Sequence, residues 1–552
     1  MSVYINIASG LKQAKEQYPY KRAIVCPVGR DSKGRYCYTQ MTFTQLDQTS
    51  DRLAFGLERA GITRGTRTIL MVKPGVEFFT IVFAMFKVGA VPVVVDPGMG
   101  IGRMLQCLSE GKPTAFIGIE KAHFLRILRP SYFKTVKHWV TVGKRWCWGG
   151  YKLDQLYADT DEAYPYAKTT RKETAAIVFT TGSTGPAKGV VYTHGNFDAQ
   201  IKQIQTHFKI QPDEIDLPTF PLFALFDPAL GMTAVIPDMD PTRPAHANPV
   251  NIIQAIQDHG ITNIFASPAL LNRLGKYGKE KGIKLPSLRR VVSAGAPVSP
   301  ANIEQFSAII PDTTQIHTPY GASEAVPIIS IGSHEILSET RAFSEKGFGL
   351  CIGRPINNIQ IGIIKIKDSA ITQFQPDILL ADKQVGEIIV KGPLVTEHYF
   401  NNSKADLFSK ITDTDSKIWH RMGDLGWQDS KGRIWFCGRK SHRVITRNQV
   451  FFTIPVEAIF NNHAEVFRSA LVGVGSKNAQ IPVIFIEPLT KIQDTKQFLR
   501  EIRELGKANP LTEDIEHFFI EKSFPVDIRH NSKIFREKLA VKAEKKLKIK
   551  QQ

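Results

Sequence analysis

Between residues 67 and 97 the chain reads RTILMVKPGVEFFTIVFAMFKVGAVPVVVDP. Arg67–Val72 is a short apolar strand, Val76–Lys87 has helical spacing, and Ala90–Val95 is a β-branched run that stops at Asp96-Pro97. Strand, helix and strand in that order mark a parallel sheet covered on both faces. The greasiest part, Phe78–Val95, is interrupted by Lys87, Gly89 and Pro92, so it reads as buried α/β core and not as a membrane span.

Working outward, Thr42–Gly61 repeats Leu46, Leu53, Ala54, Leu57 and Ala60 at helical intervals. Thr114–Ile117, Trp139–Val142, Ala175–Phe179, Thr262–Phe265 and Arg290–Ser293 are further candidate buried strands. The first 430 or so residues therefore predict stacked α/β layers with more than one sheet. After Gly426 the character changes. Gly432–Phe436 reads as a hairpin strand, Gly438–Arg443 as a charged connector, and the remainder as a small α+β unit: helix near Pro455–Asn462, strands near Ala470–Val474 and Pro482–Glu487, helix near Thr495–Leu505. The expected fold class is α/β, with a large domain over residues 1–439 and a small α+β domain over 440–552.

A chain of 552 residues is too long for one core, and 43% hydrophobic with 22% charged residues is ordinary for a globular protein. The six cysteines show no CxxC spacing, so neither a zinc site nor a disulfide framework is suggested, and a reducing cytoplasm fits. No secretory signal opens the chain. The net charge is +19, and residues 533–552 hold eight Lys/Arg against two Glu. Such an excess can attract phosphates of nucleotides, nucleic acid or lipid, although a solvated C-terminal helix and tail is the simpler explanation. No zinc-finger, RNP-like or basic–aromatic pattern speaks for nucleic acid.

The segment that carries chemistry is FTTGSTGPAKG, residues 179–189. It follows an apolar strand, where α/β folds bind ligands. Thr180, Thr181, Ser183 and Thr184 offer hydroxyls; Gly182, Gly185 and Gly189 let backbone N–H groups approach an anion; Lys188 adds a compact positive charge. It is not a Walker A loop, because Ala187 and Gly189 break that pattern. Taken alone it also reads as a flexible Ser/Gly-rich surface turn.

In its company the loop closely resembles the phosphate-binding loop of the adenylate-forming superfamily, the group of acyl-CoA synthetases, peptide adenylation domains and firefly luciferase. The resemblance runs from about Thr42 to Ala540. SAGAPV at 293–298 resembles the adenine-binding segment and so implies Gly295, Ala296 and Pro297 as base contacts. TPYGASE at 318–324 resembles the motif in which Thr318, Tyr320, Gly321 and Ser323 border the nucleotide and Glu324 holds Mg²⁺, with Ser323 replacing the usual Thr. HRMGD at 420–424 makes Asp424 the implied ribose ligand, with Met422 replacing Thr. Arg439 matches the arginine before the interdomain hinge, and Ser441 falls at the hinge itself. FPVDIRHNSKIFR at 524–536 resembles the catalytic-lysine segment, two residues longer than usual, and implies Lys533 as the lysine that neutralises charge in the in-line transition state. The implied catalytic set is Lys533, Lys188 and Glu324, with ATP and Mg²⁺. Residues 1–439 become an adenylation domain, and 440–552 a mobile lid that brings the lysine.

The second step is read from VDPGMG at 95–100, from FPLFALFDPALGM at 220–232 continuing to PDMDPTR at 237–243, and from RHNSKIFREKLA at 529–540. Together these look most like the β-lactone synthetases of bacterial long-chain olefin biosynthesis. That likeness implies a 2-alkyl-3-hydroxy acid whose own hydroxyl closes the ring, and pathway enzymes as partners. Intramolecular attack starts from a high effective molarity. A fatty acyl-CoA synthetase or fatty acyl-AMP ligase using an external thiol is the alternative, although many CoA-forming relatives carry a His where this chain has Ala224. Phe220, Leu222, Phe223, Leu225 and Phe226 line an acyl channel or pack a core; the spacing does not separate the two. Asp227 is a candidate base for the hydroxyl by position alone, and the adenylate phosphate is the other. The basic tail Lys538–Lys550 is an expected docking element for partner enzymes or an anionic surface.

Overall fold

The computed structural model describes residues 4–180, 187–220, 222–526 and 533–548. Helix Phe43–Arg59 begins at Thr42, whose hydroxyl accepts from the Gln45 N–H while the Gln45 side chain accepts from the Thr42 N–H. Leu46, Leu53, Ala54 and Leu57 are wholly buried along it. Strand Arg67–Met71 then leads into helix Val76–Val88, which ends on Gly89 at φ +75°, a left-handed position suited to glycine. Strand Val91–Val95 follows and pairs in parallel with Arg67–Met71.

These strands lie in a seven-stranded sheet ordered Tyr151–Lys152, His138–Val142, Ala115–Ile119, Arg67–Met71, Val91–Val95, Thr174–Thr180, Lys188–Thr193, in which only the last pairing is antiparallel. A second seven-stranded sheet runs Gln315–His317, Arg290–Ser293, Asn263–Ala266, Ile215–Pro218, Thr233–Val235, Arg22–Arg30, Tyr36–Thr42. A third, antiparallel and eight-stranded, contains Ile418–Gln428 beside Ile434–Arg439. The small C-terminal body has a three-stranded sheet, Val466–Val474, Ile481–Pro488 and His517–Ile520, with helices Thr453–Asn461, Thr495–Lys507 and Arg536–Leu547. The last helix buries Leu539 and Ala543 against that sheet, so it is packed structure and not only a solvated tail. Lys440 reaches Glu387 at 3.0 Å and Arg443 reaches Asp368 at 2.9 Å, tying the connector to the third sheet.

The charge that interrupts the greasy stretch is satisfied inside the protein. Lys87 is 0% exposed, and its ammonium meets Asp47 and Asp51 of helix Phe43–Arg59 at 2.7 Å each. Among the described residues no helix is long and apolar enough to cross a membrane. Removing one side of a buried ion cluster leaves uncompensated charge, so Lys87→Met should cost about 3–5 kcal/mol, read as a lower denaturant midpoint. A loss below about 1 kcal/mol would show that water reaches the cluster.

Candidate active site

The hairpin formed by Thr174–Thr180 and Lys188–Thr193 puts Lys188 opposite Thr180 at the carboxyl edge of the parallel sheet. Thr181, Gly182, Ser183, Thr184 and Gly185 lie outside the described residues, and of Thr180 only the backbone is described. The Lys188 ammonium stands 4.9 Å from the ring centroid of Tyr399. The Tyr399 phenol donates to Glu324 Oε1 at 2.6 Å. Glu324 is further fixed through its backbone: its carbonyl accepts from the Thr396 N–H at 2.9 Å. Beside them Lys410 is buried and donates to the Thr396 carbonyl. Burial pushes its ammonium down to about 8, with the Glu324 carboxylate opposing. His420 is also buried; burial, then the Lys410 charge, hold it well below its usual value, so its imidazole is neutral.

Register in the third sheet sets Asp424 opposite Arg439, and their side chains approach to 3.0 Å. The Tyr320 phenol donates to Asp424 Oδ2. Tyr320, expected to stack on a base, thus also orients the carboxylate expected to hold a ribose. Burial raises the Asp424 pKa, opposed first by Arg439. Gly295 follows strand Arg290–Ser293 at φ +92°. A Cβ on Gly321 would meet the Ala325 carbonyl oxygen at 2.5 Å, so this position stays open only as glycine. Thr318 is anchored by its N–H to the Ile331 carbonyl, and the Ser323 carbonyl accepts from Tyr192.

Lys188, Tyr399, Glu324, His420, Tyr320, Asp424 and Arg439 border one cavity of about 2200 Å³, which Gly295, Ala296, Pro297, Thr318, Gly321, Ser323 and Lys533 also line; Lys410 does not line it. Lys188, Glu324, Asp424, Arg439 and Lys533 therefore share a single space, although the last is 345 residues from the first. The buried Ser293 hydroxyl on its wall has no hydrogen-bond partner among the described residues, which suits a polar ligand; Gly321 lets strand Tyr320–Ala322 pack against the Ala325 backbone. The Glu324 carboxylate has the hard oxygen chemistry that Mg²⁺ selects. Phe220, Leu222, Phe223, Leu225 and Phe226 line the cavity too, Leu222, Leu225 and Phe226 also packing against core clusters, while Ala224 is wholly buried.

Asp227 does not line it. Its side chain turns into the core against Asp216, which in turn accepts from Asn263. Burial, then the neighbouring Asp216 charge, raise the Asp227 pKa well above the usual range. Position in the sequence suggested a base; the fold makes Asp227 half of a buried acid pair. Nothing in the sequence pointed to Tyr399, which reaches Glu324 because residues 398–400 pair with Lys188–Thr193, or to Lys410, which its pairing with His420 brings to the Thr396 carbonyl.

The architecture is that of an adenylate-forming enzyme. A solved amide bond synthetase, McbA from Marinactinospora thermotolerans, superposes with a TM-score of 0.79 at 18% identity, covering 97% of this chain and 99% of that one. O-succinylbenzoate coenzyme A synthetase from Bacillus subtilis, solved in complex with ATP and magnesium ion, superposes with a TM-score of 0.73 at 20% identity, covering 96% and 98%. The model of the AMP-binding enzyme family matches residues 11–400, and the chain belongs to that family. It is 45% identical over 549 residues, 98% of both chains, to the olefin beta-lactone synthetase of Xanthomonas campestris pv. campestris.

The Asp216–Asp227 pair gives a pH-dependent test. Both carboxyls have folded pKa values raised above the unfolded value, so folding takes up protons and stability falls as pH rises above about 4. Asp227→Asn should raise the thermal midpoint at pH 8, change it little near pH 3, and leave turnover within a few-fold. A catalytic base would instead cost about 10²–10⁴-fold in turnover.

Proposed function

We propose that this enzyme uses ATP to activate a long-chain 2-alkyl-3-hydroxy acid as its acyl-adenylate, and that the acid's own hydroxyl then closes a β-lactone, releasing AMP. The observation that carries the reading is one cavity with Lys188, Glu324, Asp424, Arg439 and Lys533 at its polar end and an apolar, phenylalanine-rich remainder. It is supported by 45% identity across the full length of a protein named for that product.

A carboxylate and a triphosphate repel, so the first step needs cations where they meet. The acid's oxygen bonds to the α-phosphorus as the bond to pyrophosphate breaks. Lys188 and residues 180–185 grip the phosphates, Asp424 takes the ribose hydroxyls with Arg439 beside it, and Gly295, Ala296, Pro297, Thr318, Tyr320, Gly321 and Ser323 enclose the base. Mg²⁺, held by Glu324, would supply charge neutralisation on the phosphate oxygens. Lys533 neutralises the carboxylate and α-phosphate from the C-terminal unit, taken as residues 440–552, whose closure also excludes water. In the second step the hydroxyl oxygen attacks the carbonyl carbon. The bond to AMP breaks and the hydroxyl proton leaves with the AMP phosphate. Pairing the two reacting groups in one molecule offsets part of the ring strain.

Purified enzyme with ATP, Mg²⁺ and a synthetic 2-alkyl-3-hydroxy acid should yield lactone and AMP in equal amounts with no coenzyme A present. Thioester formed only when coenzyme A is added would overturn the reading in favour of an acyl-CoA ligase. Lys533→Ala should lower adenylate formation by about 10²–10³-fold while ATP binding changes little. Loss of ATP binding with intact chemistry would contradict its role.

A further inference from the structure

The cavity is larger than one nucleotide and one chain require. Ordinary ligand sites measure roughly 300–1,000 Å³, and this one is about 2200 Å³. Its apolar part also does not lie on one side of the parallel sheet. Successive residues of a strand point to opposite faces. Yet Leu70 and Met71, neighbours at the end of strand Arg67–Met71, both line it, as do Val94 and Val95 at the end of Val91–Val95. The cavity therefore wraps over the carboxyl edge of the sheet and reaches both faces.

Each face has its own apolar cluster. Toward helix Val76–Val88 the walls are Leu70, Val82, Phe83, Leu222, Leu225 and Ile236, packed in one core. Toward helices Ile101–Glu110 and Glu120–Leu128 they are Met71, Val95, Met104, Leu108 and Leu125, packed in another. Between the two stands the strand edge itself, its backbone engaged in the sheet.

We propose that the acyl site is forked, with one alkyl chain of the acid lying on each face of the parallel sheet. The inference rests on the reading of the substrate as a 2-alkyl-3-hydroxy acid. In such an acid two chains depart from adjacent carbons, and a partition between them costs nothing in contact area. A straight-chain acid fills one branch and leaves the other wet. Leu125 and Leu225, both partly buried, narrow one branch each and set which chain is tolerated there.

The test uses two synthetic acids: one with a long chain on C2 and a methyl on C3, the other with these exchanged. The readout is each enzyme's ratio of kcat/KM for the two, which is independent of the fraction of folded protein. Leu125→Trp and Leu225→Trp should shift that ratio about tenfold or more in opposite directions. Val95→Phe and Leu222→Phe repeat the test with smaller intrusions should either tryptophan variant fail to fold. Shifts in the same direction, or none, overturn the fork. Lactone formed with an unshifted ratio would sink the fork alone, whereas no lactone from either acid with the unaltered enzyme would sink the substrate reading beneath it.

Discussion

The antiparallel pairing of Thr174–Thr180 with Lys188–Thr193 governs the site. It closes an otherwise parallel sheet and holds Lys188 at the edge where the other strands end. The same strand then positions a second charge. Val190 bridges to Tyr399, and the Phe400 N–H donates to the Gly189 carbonyl at 2.7 Å, so Tyr399 is fixed against the lysine strand and its phenol fixes Glu324. A cation and a carboxylate are thereby set by one backbone register. Side-chain entropy is spent in folding and not when the nucleotide arrives.

The surroundings tune those charges for a polyanion. Lys410 is buried with its ammonium lowered to about 8, which still leaves it mostly charged at neutral pH, and the His420 imidazole beside it is neutral. At the other end the wall is aromatic and aliphatic, with the Phe223 ring centroid 4.4 Å from that of Phe265 at a tilt of 31°, and suits hydrocarbon. The cavity thus joins a charged end to an apolar one.

Much of this was legible in the chain. The strand–helix–strand reading of residues 67–95 is right to within two residues, because periodicity is local and strong there. Lys188, Glu324, Asp424, Arg439 and Lys533 could be singled out because each sits in a short motif with its own chemistry, and the fold brings all five to one cavity. Tyr399 and Lys410 were not, since their partners lie 75 and 14 residues away and depend on sheet register. Asp227 failed for the opposite reason. Adjacency to an aromatic run suggested the cavity, but the local 3₁₀ turns, Phe223–Leu225 and Pro228–Leu230, turn its carboxyl into the core. Of the third sheet only the hairpin strand near Gly432–Phe436 was read in sequence; the pairing order of the others depends on distant partners.

The account stands on where the triphosphate sits, and a structure of the enzyme soaked with ATP and Mg²⁺ measures that directly. It predicts phosphate density against residues 180–185 and the Lys188 ammonium, with the metal on Glu324 and the ribose on Asp424. Triphosphate density elsewhere, with Lys188 and Glu324 making no contact to it, would contradict it.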